Sequence, residues 1–119
     1  MSVDPFFIAL FLAFVLPVPL LLRAVGEFDR LIRTEHDEHR VAWERDRRPA
    51  GVVWRSAESH PFWGRIEGNR LSFIWLIRTP GWVFHSDAAR SLLRRYRACL
   101  CGYNLVAAAV FSLVFTLLK

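Results

Sequence analysis

Charged residues are absent from two long stretches of this 119-residue chain, Phe6–Leu22 and Ala98–Leu118. Between these stretches lie 15 of the 16 Lys+Arg residues and 10 of the 11 Asp+Glu residues. A soluble domain of this size would space its apolar residues periodically instead of collecting them in two terminal blocks. The distribution therefore argues against an ordinary soluble domain.

The sequence also lacks the short motifs that mark common enzyme classes. It contains no nucleophile elbow, Walker loop, HExxH pair or dinucleotide fingerprint, and no internal repeat. Its only cysteines, Cys99 and Cys101, are two residues apart, so on a helix they point to nearly opposite faces and cannot easily bridge. We therefore expect a protein that is not an enzyme and that holds no cofactor.

The two uncharged stretches predict membrane-spanning helices. The second has 21 residues, enough to cross a hydrocarbon core, and the first has 17, which residues beyond its ends could extend. The predicted fold class is a mainly all-α integral membrane protein: a two-span transmembrane helical hairpin with long helical stems and a small cytoplasmic, Trp-rich interfacial segment. The predicted parts are transmembrane helix 1 in residues 1–23, an amphipathic stem in 24–48, the interfacial segment in 49–85, a basic stem in 86–97 and transmembrane helix 2 in 98–119.

The charges beside the spans predict their orientation. Arg23 and the group Arg94, Arg95 and Arg97 stand at the inner ends of the two spans, whereas the outer tails offer only Asp4 and Lys119. The positive-inside rule therefore places residues 24–97 in the cytoplasm and both termini outside. Arginine replaces lysine almost throughout, as in GC-rich bacterial genomes, so we expect a bacterial inner membrane. Acids interleave with the arginines, which argues against a nucleic-acid partner.

Three local structures are predicted between the spans. Pro17 and Pro19 should kink or loosen the first helix around Phe14–Val18. The middle of the first stem, Arg33–Arg40, has no apolar residue and should be exposed. The apolar run Leu71–Ile77 fits a buried strand of a short β-hairpin, a helix lying in the membrane interface, or a re-entrant segment.

The lipid contacts of the cytoplasmic segment are expected at its aromatic and basic residues. All five tryptophans lie in this segment, and tryptophan favours the headgroup level of a bilayer. Trp75 and Trp82 frame a turn and are expected nearest the lipid. Arg94, Arg95 and Arg97 are expected to contact lipid phosphates or the acidic side of the first stem.

Small residues recur on the second span at alternating spacings of four and three. With Leu105 they form what we call the small-residue face: Ala98, Gly102, Leu105, Ala109, Ser112 and Thr116. Such a face lets another helix approach closely, and Ala9 and Ala13 offer a matching patch on the first span. Asn104, on another side of the helix, needs a hydrogen-bond partner in hydrocarbon. Either the protein's own first span or a further helix could fill the groove.

One polar cluster resembles a metal site. His36 and His39 lie three residues apart on one helical face and could share an ion. A solvated charged helix face explains the same residues without a metal.

These observations favour a small non-enzymatic subunit that packs in and stabilises a larger inner-membrane assembly, in contact with lipids and with other subunits or copies of itself. A homo-oligomeric channel or transporter is the alternative, although neither span carries the charged residues that ion pathways usually contain. A membrane-tethered metal-binding enzyme is a third hypothesis.

Overall fold

The computed structural model describes residues 4–118; Met1–Val3 and Lys119, which belong to the predicted terminal spans, lie outside the described residues. The described chain is mostly helical and contains no strand. Its helices are α1 (Pro5–Val15), α2 (Val18–Glu38), α3 (Arg40–Arg45), α4 (Trp63–Ile77) and α5 (Asp87–Leu118), with a 3₁₀ helix at Gly81–His85 before α5.

The molecule is built along two long helical arms, α1 with α2 and the single helix α5. The arms are antiparallel, because Leu20 lies against Gly102 while Phe28 stacks on Tyr96. Both arms are long and apolar enough to cross a membrane, as predicted. Only 11% of the most apolar stretch of each arm is buried inside the protein, unlike the core helix of a soluble domain. The structure is 59 Å long, so a hydrocarbon core of about 30 Å would cover roughly half of it.

The ends of the first arm follow from its prolines and its first aspartate. Asp4 caps α1 by accepting a hydrogen bond from the Phe6 amide at 2.9 Å, and Pro5 occupies the first turn, where a missing N–H costs nothing. The helix is interrupted at Leu16 and Pro17 before α2 begins. The predicted disturbance at the prolines is confirmed.

The first stem differs from its prediction in two ways. It stops at Glu38, where His39 has non-helical dihedral angles, and the chain turns into the short helix α3. Its middle is not exposed throughout, because Glu35 is completely buried. The prediction was wrong because the 3₁₀ helix and the start of α5 pack on this part of α2, which the composition of the stem does not reveal.

The β-hairpin alternative is also wrong for the described residues. The turn of such a hairpin would fall at the glycine-containing segment Glu67, Gly68 and Asn69, but these residues lie in the middle of α4. Gly64 and Gly68 let this helix approach the preceding loop closely: a Cβ on Gly68 would lie 1.8 Å from the Ala50 carbonyl oxygen. Of the three alternatives that the sequence left open for Leu71–Ile77, the run is helical, and α4 packs closely on the preceding loop.

The loop before α4 is held by one carboxylate of α2. Asp29 accepts hydrogen bonds from the backbone amides of Val52, Val53 and Trp54 at 2.6, 2.9 and 3.0 Å. Gly51 passes so close that a Cβ there would lie 2.2 Å from an Asp29 carboxylate oxygen. Three amides that a strand would have used are satisfied by this side chain.

A small core joins the stems, α4 and the 3₁₀ helix on the predicted cytoplasmic side. It contains the following buried apolar residues: Ala24, Phe28, Leu31, Ile32, Leu71, Trp75, Trp82, Val83, Ala89, Leu93, Tyr96 and Cys99. Tyr96 joins α5 to α4 by donating a hydrogen bond to the Ser72 carbonyl oxygen at 2.5 Å. Burial raises the pKa of its hydroxyl to about 12. This core fixes α4 against the inner ends of the two apolar arms.

Candidate functional site

The first apolar helix packs on a face of α5 that differs from the small-residue face. Ala9 is buried and Ala13 borders a cavity of about 360 Å³ together with Tyr103, Ala107 and other side chains of α5. Ala13 therefore lies beside the second helix, next to Tyr103 and Ala107 rather than next to the predicted groove.

The small-residue face of α5 is left largely uncovered. Gly102 is its only half-buried member and lies against Leu20, whereas the other members of the face are exposed: Ala98, Leu105, Ala109, Ser112 and Thr116. Thr116 directs its hydroxyl back to the Ser112 carbonyl oxygen at 2.8 Å, which satisfies that group within the helix. Asn104 is exposed as well. The protein's own first helix thus does not fill the groove.

The three arginines at the inner end of α5 have different surroundings. Arg97 donates to the Trp75 carbonyl oxygen at 2.9 Å and to the Thr79 hydroxyl at 3.1 Å, so it fastens the end of α4. Arg95 lies 3.7 Å from the buried Glu27 carboxylate. Arg94 is exposed beside a cleft. Arg95 thus takes the expected acidic partner on the first stem, and Arg94 remains open to a phosphate.

The two tryptophans expected nearest the lipid lie in the core instead. Trp75 is 2% exposed and Trp82 is 8% exposed, and their ring centroids are 5.9 Å apart. Phe28 stacks on Trp75, and His39 stacks on Trp82. The expectation failed because these rings fill the gap between α4, the 3₁₀ helix and the stems, a use that their preference for interfaces does not exclude.

Beside these rings lies a cleft of about 530 Å³ between α3, α4 and the 3₁₀ helix. Arg45, Arg70 and Arg78 stand around it, and Asp46 contributes one opposing charge. Net positive charge over an apolar floor attracts an acidic group. Sequence reasoning missed this cleft, because Arg45 comes from α3, whereas Arg70 lies on α4 and Arg78 directly follows it.

Glu35 is a fully buried carboxyl group in the part of the chain between the two apolar stretches. It is 0% exposed, and neither carboxyl oxygen has a hydrogen-bond partner of acceptable geometry within residues 4–118. Burial first, and then the nearby Asp46, raise the pKa of this carboxyl to about 10, although the Trp82 indole opposes the rise. Glu35 is therefore neutral at physiological pH. No sequence signal separates it from the exposed acids around it.

The two candidate metal ligands have separate surroundings. Both ring nitrogens of His36 are in use: one contacts the Asp37 carboxylate at 2.7 Å, and the other contacts Arg40 and the Ser56 hydroxyl. His39 stacks on Trp82 instead. Within residues 4–118 no three His, Cys, Asp or Glu side chains are grouped so that they could hold a metal ion. Metal binding by His36 and His39 thus stays a prediction without a third ligand.

The chain was compared with protein-family models, with curated proteins and with solved structures, and none of them matches it.

Proposed function

We propose that this chain is a small non-enzymatic subunit that packs in and stabilises a larger protein assembly in the bacterial inner membrane. Residues 24–97 would face the cytoplasm and both termini the outside, as the arginines at the inner ends of the spans favour. The observation that carries the proposal is the small-residue face of α5, which stays exposed after α1 and α2 have packed.

The physical reason is the way in which helices associate in lipid. Lipid tails are as apolar as leucine side chains, so helices associate through close packing and hydrogen bonds, and both are best where side chains are small. Ala98 and Ala109 supply such a surface, and Asn104 supplies a polar group worth about 1 kcal/mol when it finds a partner in the membrane. A further helix satisfies these groups better than lipid does.

Size measurement in mild detergent tests the proposal. The wild-type chain, extracted from its native membrane, should elute in an assembly heavier than its own 13.8 kDa. Ala109→Leu should weaken that assembly, because an overpacked helix contact costs about 1–3 kcal/mol, or roughly 5- to 150-fold in the dissociation constant.

The matched control is Leu117→Ala, which changes an exposed side chain of the same helix that lies away from both the small-residue face and Asn104. It should leave the assembly intact. A stable, monodisperse wild-type monomer would refute the proposal, and so would an assembly that Ala109→Leu leaves unchanged.

The homo-oligomeric channel or transporter is the second candidate, and the exposure of Asn104 and Ser112 on α5 favours it. Copies of α5 arranged in a ring would turn these two polar side chains toward a shared interior. Purified protein in liposomes should then conduct ions or small solutes, and replacing both residues with alanine should reduce the flux. Flux that the double variant leaves unchanged would argue against a pore lined by α5.

A further inference from the structure

The outer face of α4 carries three large exposed apolar side chains, one before Arg70 and two after it, although α4 belongs to the predicted cytoplasmic part. Ile66, Phe73 and Ile77 are 40%, 71% and 92% exposed, and spacings of seven and four residues place them on one face of the helix. The opposite face carries Leu71 and Trp75, which are buried in the core. Exposed Arg70 separates Ile66 from the other two, so the uncovered apolar surface consists of Phe73 and Ile77. Such a surface is typical of contact with lipid or another protein.

A shared cavity and a hydrogen bond place this face beside the cytoplasmic ends of the two proposed spans. Phe73 borders a cavity together with Leu21 and Leu100, which belong to the inner ends of the two uncharged stretches. Arg97, the last charged residue before the second stretch, donates to the carbonyl oxygen of Trp75 within α4. The C-terminal half of α4 thus lies beside the residues at which the proposed spans leave the hydrocarbon.

We propose that Phe73 and Ile77 insert into the cytoplasmic headgroup region of the same bilayer, so that α4 is an interfacial anchor between the two spans. A lipid surface is the partner, because this face continues the lipid-exposed surfaces of the arms without a charged residue between Phe73 and Ile77. The inference rests on the proposed membrane insertion of both arms. It also assigns the lipid contact of this segment to residues other than Trp75 and Trp82.

Spin-label accessibility on the full chain in phosphatidylethanolamine–phosphatidylglycerol nanodiscs tests this inference. Single cysteines replace Ile77, Phe111 and Val41 in a chain whose Cys99 and Cys101 have been changed to alanine. Phe111 lies within the proposed second span, and Val41 is a 71% exposed apolar residue on α3, far along the stem. Oxygen, which concentrates in lipid, and a water-soluble nickel chelate compete as relaxing agents.

The label at Ile77→Cys should collide with oxygen more than with nickel, as at Phe111→Cys, whereas Val41→Cys should show the reverse. Oxygen contact at Phe111 with nickel contact at Ile77 would overturn the inference while leaving the proposed function intact. Protection of Ile77 from both agents would mean that another protein surface covers it, which also overturns the inference. Nickel contact at Phe111 would refute membrane insertion itself, and the inference with it.

A second measurement avoids replacing the buried Cys99. A photo-crosslinking phenylalanine analogue at position 77, in a chain that keeps both cysteines, should attach to lipid upon irradiation. The same analogue at position 41 should not. Equal lipid attachment at the two positions would contradict the inference.

Discussion

Replacement of Glu35 by glutamine should stabilise the core between the stems and α4 at neutral pH. The Glu35 side chain is fully buried, and burial raises its pKa from 4.5 to about 10, so the folded protein holds it as a neutral acid. Glutamine has nearly the same shape and never ionises. In the wild-type protein, Glu35 can ionise in the unfolded chain but not in the folded core, and this favours unfolding at neutral pH. Glu35→Gln removes that advantage of the unfolded state.

The sign and size of the effect follow from proton linkage. Between pH 4.5 and about 10 the unfolded chain binds fewer protons at this residue than the folded chain, so the free energy of unfolding falls as pH rises. Each pH unit is worth about 1.4 kcal/mol. From pH 4.5 to pH 7 this single group should therefore lower the stability of the wild-type protein by about 3 kcal/mol.

The assay is denaturant unfolding of the full chain in detergent micelles, followed by tryptophan fluorescence, since all five tryptophans lie between the spans. The stability difference between Glu35→Gln and wild type should grow from pH 4.5 to pH 8 in favour of the variant. Glu38→Gln, at an exposed position one turn further along α2, is the control and should show no such growth. A stability difference that does not change with pH would refute the reasoning about Glu35.

Two further substitutions test the packing that replaces the expected hairpin. Gly68→Ala should lower the free energy of unfolding by about 1–3 kcal/mol in the same assay, because its Cβ would overlap a backbone carbonyl. The control is Gly81→Ala, which should change this free energy little because a Cβ there meets nothing within 4 Å. Equal effects of the two substitutions would contradict the account. Asp29→Ala should speed hydrogen exchange of the amides of residues 52–54, because they lose their acceptor. The exposed Asp37→Ala should leave these rates unchanged, and slow exchange in Asp29→Ala would show that the loop does not depend on this carboxylate.

The parts of the fold that were predictable from sequence depend on local signals. The uncharged run from Ala98 to Leu118 and the proline pair in the first arm act through composition and backbone geometry alone, and both expectations agree with the structure. Ser86 also begins α5 as a capping residue, since its hydroxyl accepts a hydrogen bond from the Ala89 amide at 3.2 Å. Each of these features requires knowledge of only a few neighbouring residues.

The parts that could not be predicted depend on contacts between distant residues. Asp29 has Arg33 one turn along its helix, where an ion-pair partner is usual, but it binds three amides more than 20 residues away. Trp75 and Trp82 carry the same ring whether they face lipid or a core, so their residue type does not decide between the two. The burial of Glu35 depends on where the 3₁₀ helix packs, and the residues around Glu35 on α2 do not indicate that position.

The central claim is that both arms cross a membrane and leave the arginine-rich middle on the cytoplasmic side. Labelling of intact cells with a membrane-impermeant maleimide tests it most directly, using Lys119→Cys, just beyond the uncharged stretch Ala98–Leu118, and Val41→Cys in the chain without native cysteines. The account predicts that Lys119→Cys reacts in intact cells and that Val41→Cys reacts only after lysis. Reaction of Val41→Cys in intact cells, or of Lys119→Cys only after lysis, would contradict it.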